Sequence, residues 1–234
     1  MAGMIGLRRL LIVGDSLAGG PPHLCYPHLV AERLSDWWVR WVSLPGKTLR
    51  ILGEALADSL PLYQPDVVVF QGGGNDLLIP YLARVLQRGG NLPAPEEEFG
   101  DIFRALVKAS LSFSRETLIL SVPCLGEDLD TRLNARRRLY NGVLESVAGE
   151  LGTRVLRIDL AQEREILERG RMSRYLMDDF SGFFLDPLRS LTRRGAMRLS
   201  EKRGLHLTID GVHPNPRGAG LLAQLLLEAL EGGG

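Results

Sequence analysis

Residues 10–20 read LLIVGDSLAGG, four branched or linear aliphatics that run into a glycine, an aspartate and a serine. A short apolar run cut off by glycine predicts a buried strand. The strand's end is unusual because the hydroxyl of Ser16 has glycine on both sides, at Gly14 and again at Gly19 and Gly20. This pattern predicts a sharp turn at the strand's carboxyl end, with Gly14 supplying the freedom to turn and Ser16 presented by it.

The alternation of apolar run and helical pattern then repeats along the chain. RLLIVG (9–14) precedes the amphipathic HLVAERL (28–34), WVRWVSL (38–44) precedes LRILGEALADSL (49–60), and DVVVFQ (66–71) precedes FGDIFRALVKAS (99–110). TLILSV (117–122) is followed by RLNARRRLYNGVLESVAGEL (132–151), and RVLRIDL (154–160) is the last strand candidate. Five near-continuous Val/Ile/Leu runs separated by helices predict parallel strands buried on both faces. The expected fold is a three-layer α/β/α sandwich, formed by one domain over residues 1–234. GAGLLAQLLLEALE (218–231) reads as the closing helix, entered through HPNPRG. A long irregular connection is expected at about 161–207, because no sixth strand of comparable strength occurs there.

Composition narrows the function classes. The 234 residues are 45% apolar and 24% charged, the balance of an ordinary globular protein. Lys plus Arg and Asp plus Glu are equal at 28 each, so no global field favours nucleic acid or an anionic membrane surface. Cys25 and Cys124 are too few and too far apart for a disulfide framework or a zinc site. The apolar run before Gly14 is shorter than a signal-peptide core, and no run approaches a membrane span. A cytoplasmic location without stable membrane insertion is the expectation.

In an open parallel sheet, ligands bind outside the carboxyl ends of the strands. The segments there are GDSLAGG, PGKT, GGGND and PCLGED. PGKT (45–48) lacks a phosphate-binding loop because Trp41 stands where its first glycine belongs, and Leu77 breaks a dinucleotide reading of Gly72 and Gly74. His206, Asp210 and His213 could be drawn as a metal cluster, but no further ligand has the usual spacing. His23 and His28, at the entrance to the first helix, read as packing or surface residues.

A hydroxyl, an imidazole and a carboxylate remain. Ser16 follows the first strand, while Asp210 and His213 precede the last helix in DGVHPN. A serine hydroxyl needs an imidazole to take its proton, and the imidazole needs an acceptor to fix its tautomer. An oxyanion formed by acyl transfer needs donors aimed at it in advance. The Ser16 and Gly46 backbone N–H groups and the Asn75 amide are candidates, Gly46 because no Cβ obstructs its approach.

These residues resemble the blocks of the SGNH hydrolases, the GDSL-type esterases and lipases. GDSL (14–17), PGKT with Gly46, GGND (73–76) and DGVH (210–213) occur in the family's order. The resemblance implies a flavodoxin-like fold with a five-stranded parallel sheet. It also implies Ser16 as nucleophile, His213 as base and then acid, Asp210 as its orienting partner, and an oxyanion hole of Ser16, Gly46 and Asn75. The implied reaction is ester hydrolysis through an acyl-enzyme with no metal or organic cofactor, and the implied partner is a small-molecule, lipid or acetylated-sugar ester. Acyl transfer on the same site and a non-hydrolytic carbohydrate- or acyl-binding module stay open. Asp15 and Asp76 read as turn-building residues. Phe180, Phe183 and Phe184 could line an acyl pocket, and Arg171, Arg174, Arg193 and Arg194 could meet an anionic substrate; packing and solvation are the alternative roles.

Overall fold

The structure, a computed structural model, describes residues 7–87, 96–178 and 190–232. Five strands form one parallel sheet: β1 (Arg8–Gly14), β2 (Trp37–Ser43), β3 (Val67–Gln71), β4 (Glu116–Leu120) and β5 (Arg154–Leu156), in the order β2-β1-β3-β4-β5. The order reverses direction between β1 and β3, which places a crevice above their carboxyl ends. In register, Gly14 lies beside Ser43 of β2 and Gln71 of β3, so the loops that follow all three strands start from one level.

Burial distinguishes the strands. Leu10 to Val13 of β1, Val67 to Phe70 of β3 and Leu118 to Leu120 of β4 are essentially inaccessible, as strands covered on both faces should be. β2 departs from that expectation. It is one edge of the sheet, its residues are half-buried or exposed, and the Arg8 guanidinium lies 4.0 Å over the Trp37 ring. β5 is three residues long, because Ile158 already starts a helix within the run read as strand.

Helices cover both faces. One face carries α2 (Leu49–Tyr63), α3 (Gly74–Gln87), α4 (Glu96–Leu111) and α5 (Arg132–Glu150), with Leu52, Leu56, Phe103 and Tyr140 in its core. The other carries α1 (Tyr26–Ala31), α6 (Ile158–Glu168) and the closing helix α9 (Pro216–Glu231), around Tyr26, Val30, Leu222 and Leu226. Two short helices, α7 (Tyr175–Asp178) and α8 (Arg193–Lys202), occupy part of the connection expected to be irregular. α3 follows β3 almost directly; its glycine-rich start and internal Pro80 hide it from a reading by periodicity.

Capping residues set the starts of the helices that matter most for the site. The Thr131 hydroxyl accepts from the Asn134 N–H at the head of α5. At the head of α9, the Asn215 side chain accepts from the Arg217 and Gly218 N–H groups, with Pro216 in the first helical position. That cap fixes where the DGVH segment ends.

Candidate active site

β1 delivers the serine. A Cβ on Gly14 would stand 2.7 Å from Gln71 Oε1 and 2.8 Å from Ala18 Cβ, so close packing requires glycine there. Its backbone is not among the left-handed ones, so crowding, and not the expected freedom to turn, explains the residue. Asp15 then builds the turn. Its Oδ1 accepts from the Leu17 N–H at 3.0 Å, and Ser16–Ala18 form one 3-10 turn. The Ser43 hydroxyl donates to the Asp15 carbonyl at 2.8 Å, which ties the end of β2 to the same turn.

The DGVH segment is a tight loop closed by an antiparallel bridge between Thr208 and Pro214. Asp210 organises it from within: Oδ1 accepts from the Val212 N–H at 2.9 Å and the His213 N–H at 2.8 Å. Its second oxygen lies 2.6 Å from His213 Nδ1. A carboxylate only accepts, so Nδ1 carries the proton and Nε2 is left as an acceptor. Nε2 lies 3.0 Å from Ser16 Oγ, across 197 positions of sequence.

The electrostatics match that chain of contacts. Burial alone would raise the Asp210 carboxyl, but the neighbouring His213 and the Val212 and His213 N–H groups hold it below the usual range. Burial alone would lower His213, but the charge and hydrogen bond of Asp210 outweigh it and raise the imidazole above its ordinary value. Asp15 is pushed up to about 6, chiefly by burial.

The other two site candidates belong to adjoining loops. Gly46 has φ +72° with nothing within 4 Å of a built Cβ. That backbone conformation favours glycine, and no protein atom crowds the position. Asn75, at the start of α3, donates through Nδ2 to the Lys47 carbonyl at 3.0 Å, and Asp76 accepts from the Leu49 N–H at 2.9 Å. Both tie the head of α3 to the turn that holds Gly46.

One residue escaped the sequence reading. Glu127 is buried in the loop after β4, and its carboxylate accepts from the His206, Leu207 and Thr208 N–H groups and the Thr208 hydroxyl, all within 3.0 Å. The adjacent Gly126 N–H donates to the Gly211 carbonyl at 2.7 Å. Glu127 and its neighbour thus anchor the segment carrying Asp210 and His213. Only the GED in PCLGED hinted at it, since a lone acidic residue after a strand has no spacing to betray its partners.

The remaining candidates separate from this group. The His206 ring faces Glu165 Oε2 at 3.6 Å and Arg217 Nη1 at 3.3 Å, and so does not join Asp210 and His213 in a metal cluster. Among the described residues no group of three His, Cys, Asp or Glu could hold a metal ion. His28 pairs with Glu32 on the surface, and the His23 ring bonds the Ser190 carbonyl at 3.1 Å. A cavity of about 390 Å³ opens beside Ser16 and His213. Arg171, Arg174, Arg193 and Arg194 are not among its described lining residues, and Phe180, Phe183 and Phe184 lie outside the described residues. Among the described residues, no helix is long and apolar enough to cross a membrane.

No curated protein matches the chain in sequence. Solved structures share its fold at low identity. LAE5, an alpha/beta hydrolase enzyme from the metagenome of Lake Arreo, Spain, superposes with a TM-score of 0.67 at 19% identity, covering 95% of this chain and 94% of its own. The acetyl xylan esterase AlAXEase gives 0.70 at 17% over 94% and 98% of the two chains. Axe2, an acetylxylan esterase from Geobacillus stearothermophilus, gives 0.65 at 19% over 96% and 94%. The family model of the GDSL-like lipases and acylhydrolases matches residues 12–221, from within β1 to within α9, so the chain belongs to the GDSL-like Lipase/Acylhydrolase family of carboxylic ester hydrolases.

Proposed function

We propose that the chain hydrolyses carboxylic esters by a serine mechanism in which Ser16 is the nucleophile, His213 the general base and then acid, and Asp210 its orienting partner. One observation carries this reading: His213 spans Ser16 Oγ at 3.0 Å and Asp210 Oδ2 at 2.6 Å, each through a different ring nitrogen. As Ser16 Oγ attacks the ester carbonyl, its proton passes to His213 Nε2, and Asp210 stabilises the imidazolium. Collapse of the tetrahedral adduct releases the alcohol, which takes that proton, and leaves an acyl-serine. Water, deprotonated by the same nitrogen, then displaces the acid.

The oxyanion needs donors set in place beforehand. The Ser16 and Gly46 N–H groups and the Asn75 amide fill that role in this reading. Asn75 retains a second Nδ2 hydrogen beyond the one directed at Lys47, and the hydrogen bond to Lys47 limits how the amide can rotate. Cys25 and Cys124, both free and buried, support a reducing, cytoplasmic setting.

The test is Ser16→Ala on purified protein. The turnover of p-nitrophenyl esters should fall on the order of 10⁴-fold or more, with the melting temperature unchanged. A fluorophosphonate probe should label the wild type at Ser16 and leave the variant unlabelled. Equal rates in the two proteins would remove Ser16 from the mechanism. Labelling without turnover of any ester would favour a binding module, and ester products formed with a competing alcohol would favour acyl transfer.

A further inference from the structure

The described residues that line the cavity beside Ser16 offer a sugar few hydrogen-bonding side chains. Its wall includes Pro21, Leu24, Pro45, Leu191, Ile209 and Pro214, drawn from the turns that follow β1 and β2, from the segment before α8 and from the flanks of the Asp210–His213 loop. This wall is built before any substrate arrives. Leu24 and Ile209 pack with the inaccessible Ala196 of α8, and the His23–Ser190 hydrogen bond holds the rim at Leu191 against the segment carrying Pro21 and Leu24.

Among the described residues of this wall, polar side chains are few. Ser16, Asp210 and His213 are engaged with one another, and Ser190 is the fourth among the described lining residues. No Lys, Arg, Asn, Gln, Trp or Tyr is among them. A sugar ring entering this space would give up the water bound to its hydroxyls and find few protein groups to replace it. An apolar chain would lose nothing comparable and would gain burial at each methylene.

We propose that this cavity takes an apolar chain attached to the scissile ester, so that the preferred substrates are aliphatic or aryl esters and not acetylated sugars. The proposal rests on the reading of Ser16 as nucleophile. At about 30 Å³ for each water-sized unit, about 390 Å³ corresponds to roughly thirteen units, and a chain of about eight to ten carbons fills the greater part of it. Leu24 and Leu191 are its specificity-determining residues, one on the inner wall and one at the rim. The chain can start from the carbonyl carbon or from the alcohol oxygen, since both atoms lie next to Ser16 and His213 during attack. The shared chemistry is an apolar group beside the reacting carbonyl.

Two substrate series on the purified full chain test this. One lengthens the acyl group of p-nitrophenyl esters from acetyl to octanoyl; the other lengthens the alcohol of aliphatic acetates from butyl to octyl, with an acetylated xylooligosaccharide as comparator. In one of the series kcat/KM should rise about fourfold for each methylene, the equivalent of ~0.8 kcal/mol, until the cavity is full. The series that rises identifies the side on which the chain sits. Leu24→Trp, which fills the inner wall, should lower the ratio of long-chain to short-chain kcat/KM at least tenfold. Leu191 is exposed, so Leu191→Asp leaves folding untouched while placing a charge at the rim, and it should lower the same ratio.

Flat profiles in both series, a preference for the acetylated xylooligosaccharide, or variants that change all chain lengths equally would each overturn the proposal. Absence of Ser16-dependent hydrolysis of every ester is a distinguishable failure. It removes the nucleophile assignment itself, and this proposal with it.

Discussion

Ser16 and Ser121 each follow a buried strand of the same sheet, and each connects to a buried aspartate, yet only one connection is made through an imidazole. Ser121 Oγ donates directly to Asp159 Oδ1 at 2.7 Å. Asp159 also accepts from Arg137 Nη1, Asn141 Nδ2 and two nitrogens of Arg157, so its oxygens are saturated. Those hydrogen bonds and guanidinium charges hold Asp159 below the usual carboxylate range although burial pushes it up. Ser121, Asp159 and Arg137 are all fully inaccessible. At Ser16 the aspartate reaches the hydroxyl only through His213, and the hydroxyl borders a cavity.

The difference is one of proton traffic. A guanidinium never releases its proton in a protein, and the Asp159 carboxyl held below the usual range is a poor base, so the Ser121 cluster has no group suited to taking the hydroxyl's proton near neutrality. An imidazole exchanges protons near neutrality, so the same pairing of serine and buried aspartate becomes a site when histidine stands between them. The Ser121 cluster has a structural consequence instead. With Asn141 and Gln162 receiving the N–H groups of Val122 and Cys124, it fixes the loop that ends in Glu127, which in turn holds the DGVH segment.

Asp210→Asn is the sharpest way to break the comparison. The asparagine Oδ1 can still accept from Val212 and His213, but an amide N–H₂ in place of Oδ2 would face the Nδ1–H and favour the wrong tautomer. The loss in kcat should be on the order of 10³ to 10⁴-fold, with little change in stability. The pH profile carries a second signature. The wild type needs neutral His213, whose pKa Asp210 raises, so its activity should climb with pH through a value above that of an ordinary imidazole. In the variant the acid limb should move to lower pH, and an unmoved limb would detach Asp210 from His213.

Asp159→Ala should do the reverse. Removing the carboxylate leaves the inaccessible Arg137 with a charge opposed, among the described residues, by Glu163, a change of about 3 to 5 kcal/mol in stability. Chemical denaturation should register it, while kcat for the folded fraction changes less than tenfold. A kcat loss as large as that of Asp210→Asn would place Asp159 in the chemistry and end the contrast.

This contrast also marks what could be read from the chain. Central strands show themselves through unbroken apolar runs, and Ser16, Asp210 and His213 stand out because each follows a strand or precedes a helix in a compact motif. The sheet edge, the helix after GGGND and the short β5 were less legible. β2 contains Trp and Val like a buried strand, and only pairing tells which strand lies outermost. The partners of the Ser121–Asp159–Arg137 cluster and of Glu127 were not legible, since they lie 22 to 81 residues away with no local pattern. Gly14 was legible for the wrong reason, since it answers to crowding and not to a turn, and at Gly46 a positive φ adds a cause that residue type alone does not state. Residue type survives in sequence, whereas the steric cause belongs to the packed molecule.

Asp15 supplies the smallest and subtlest break in the comparison, because it is a buried aspartate beside the site with neither arginine nor histidine as a direct hydrogen-bond partner. Its carboxyl, pushed up to about 6 by burial, prefers its proton more in the folded chain than in the unfolded one. A raised carboxyl pKa favours the folded state at low pH, and that advantage is lost as pH rises from about 4 through about 6. Above this window the folded protein carries a poorly solvated charge. Asp15→Asn keeps an oxygen for the Leu17 N–H and removes the charge, so it should stabilise the protein on the order of 1 to 3 kcal/mol at pH 8, with the gain disappearing below about pH 4. Denaturation midpoints measured across this range check the sign. A gain independent of pH would mean that Asp15 acts through turn geometry alone, while a stability loss at pH 8 would mean that its charge has a partner that the turn does not reveal.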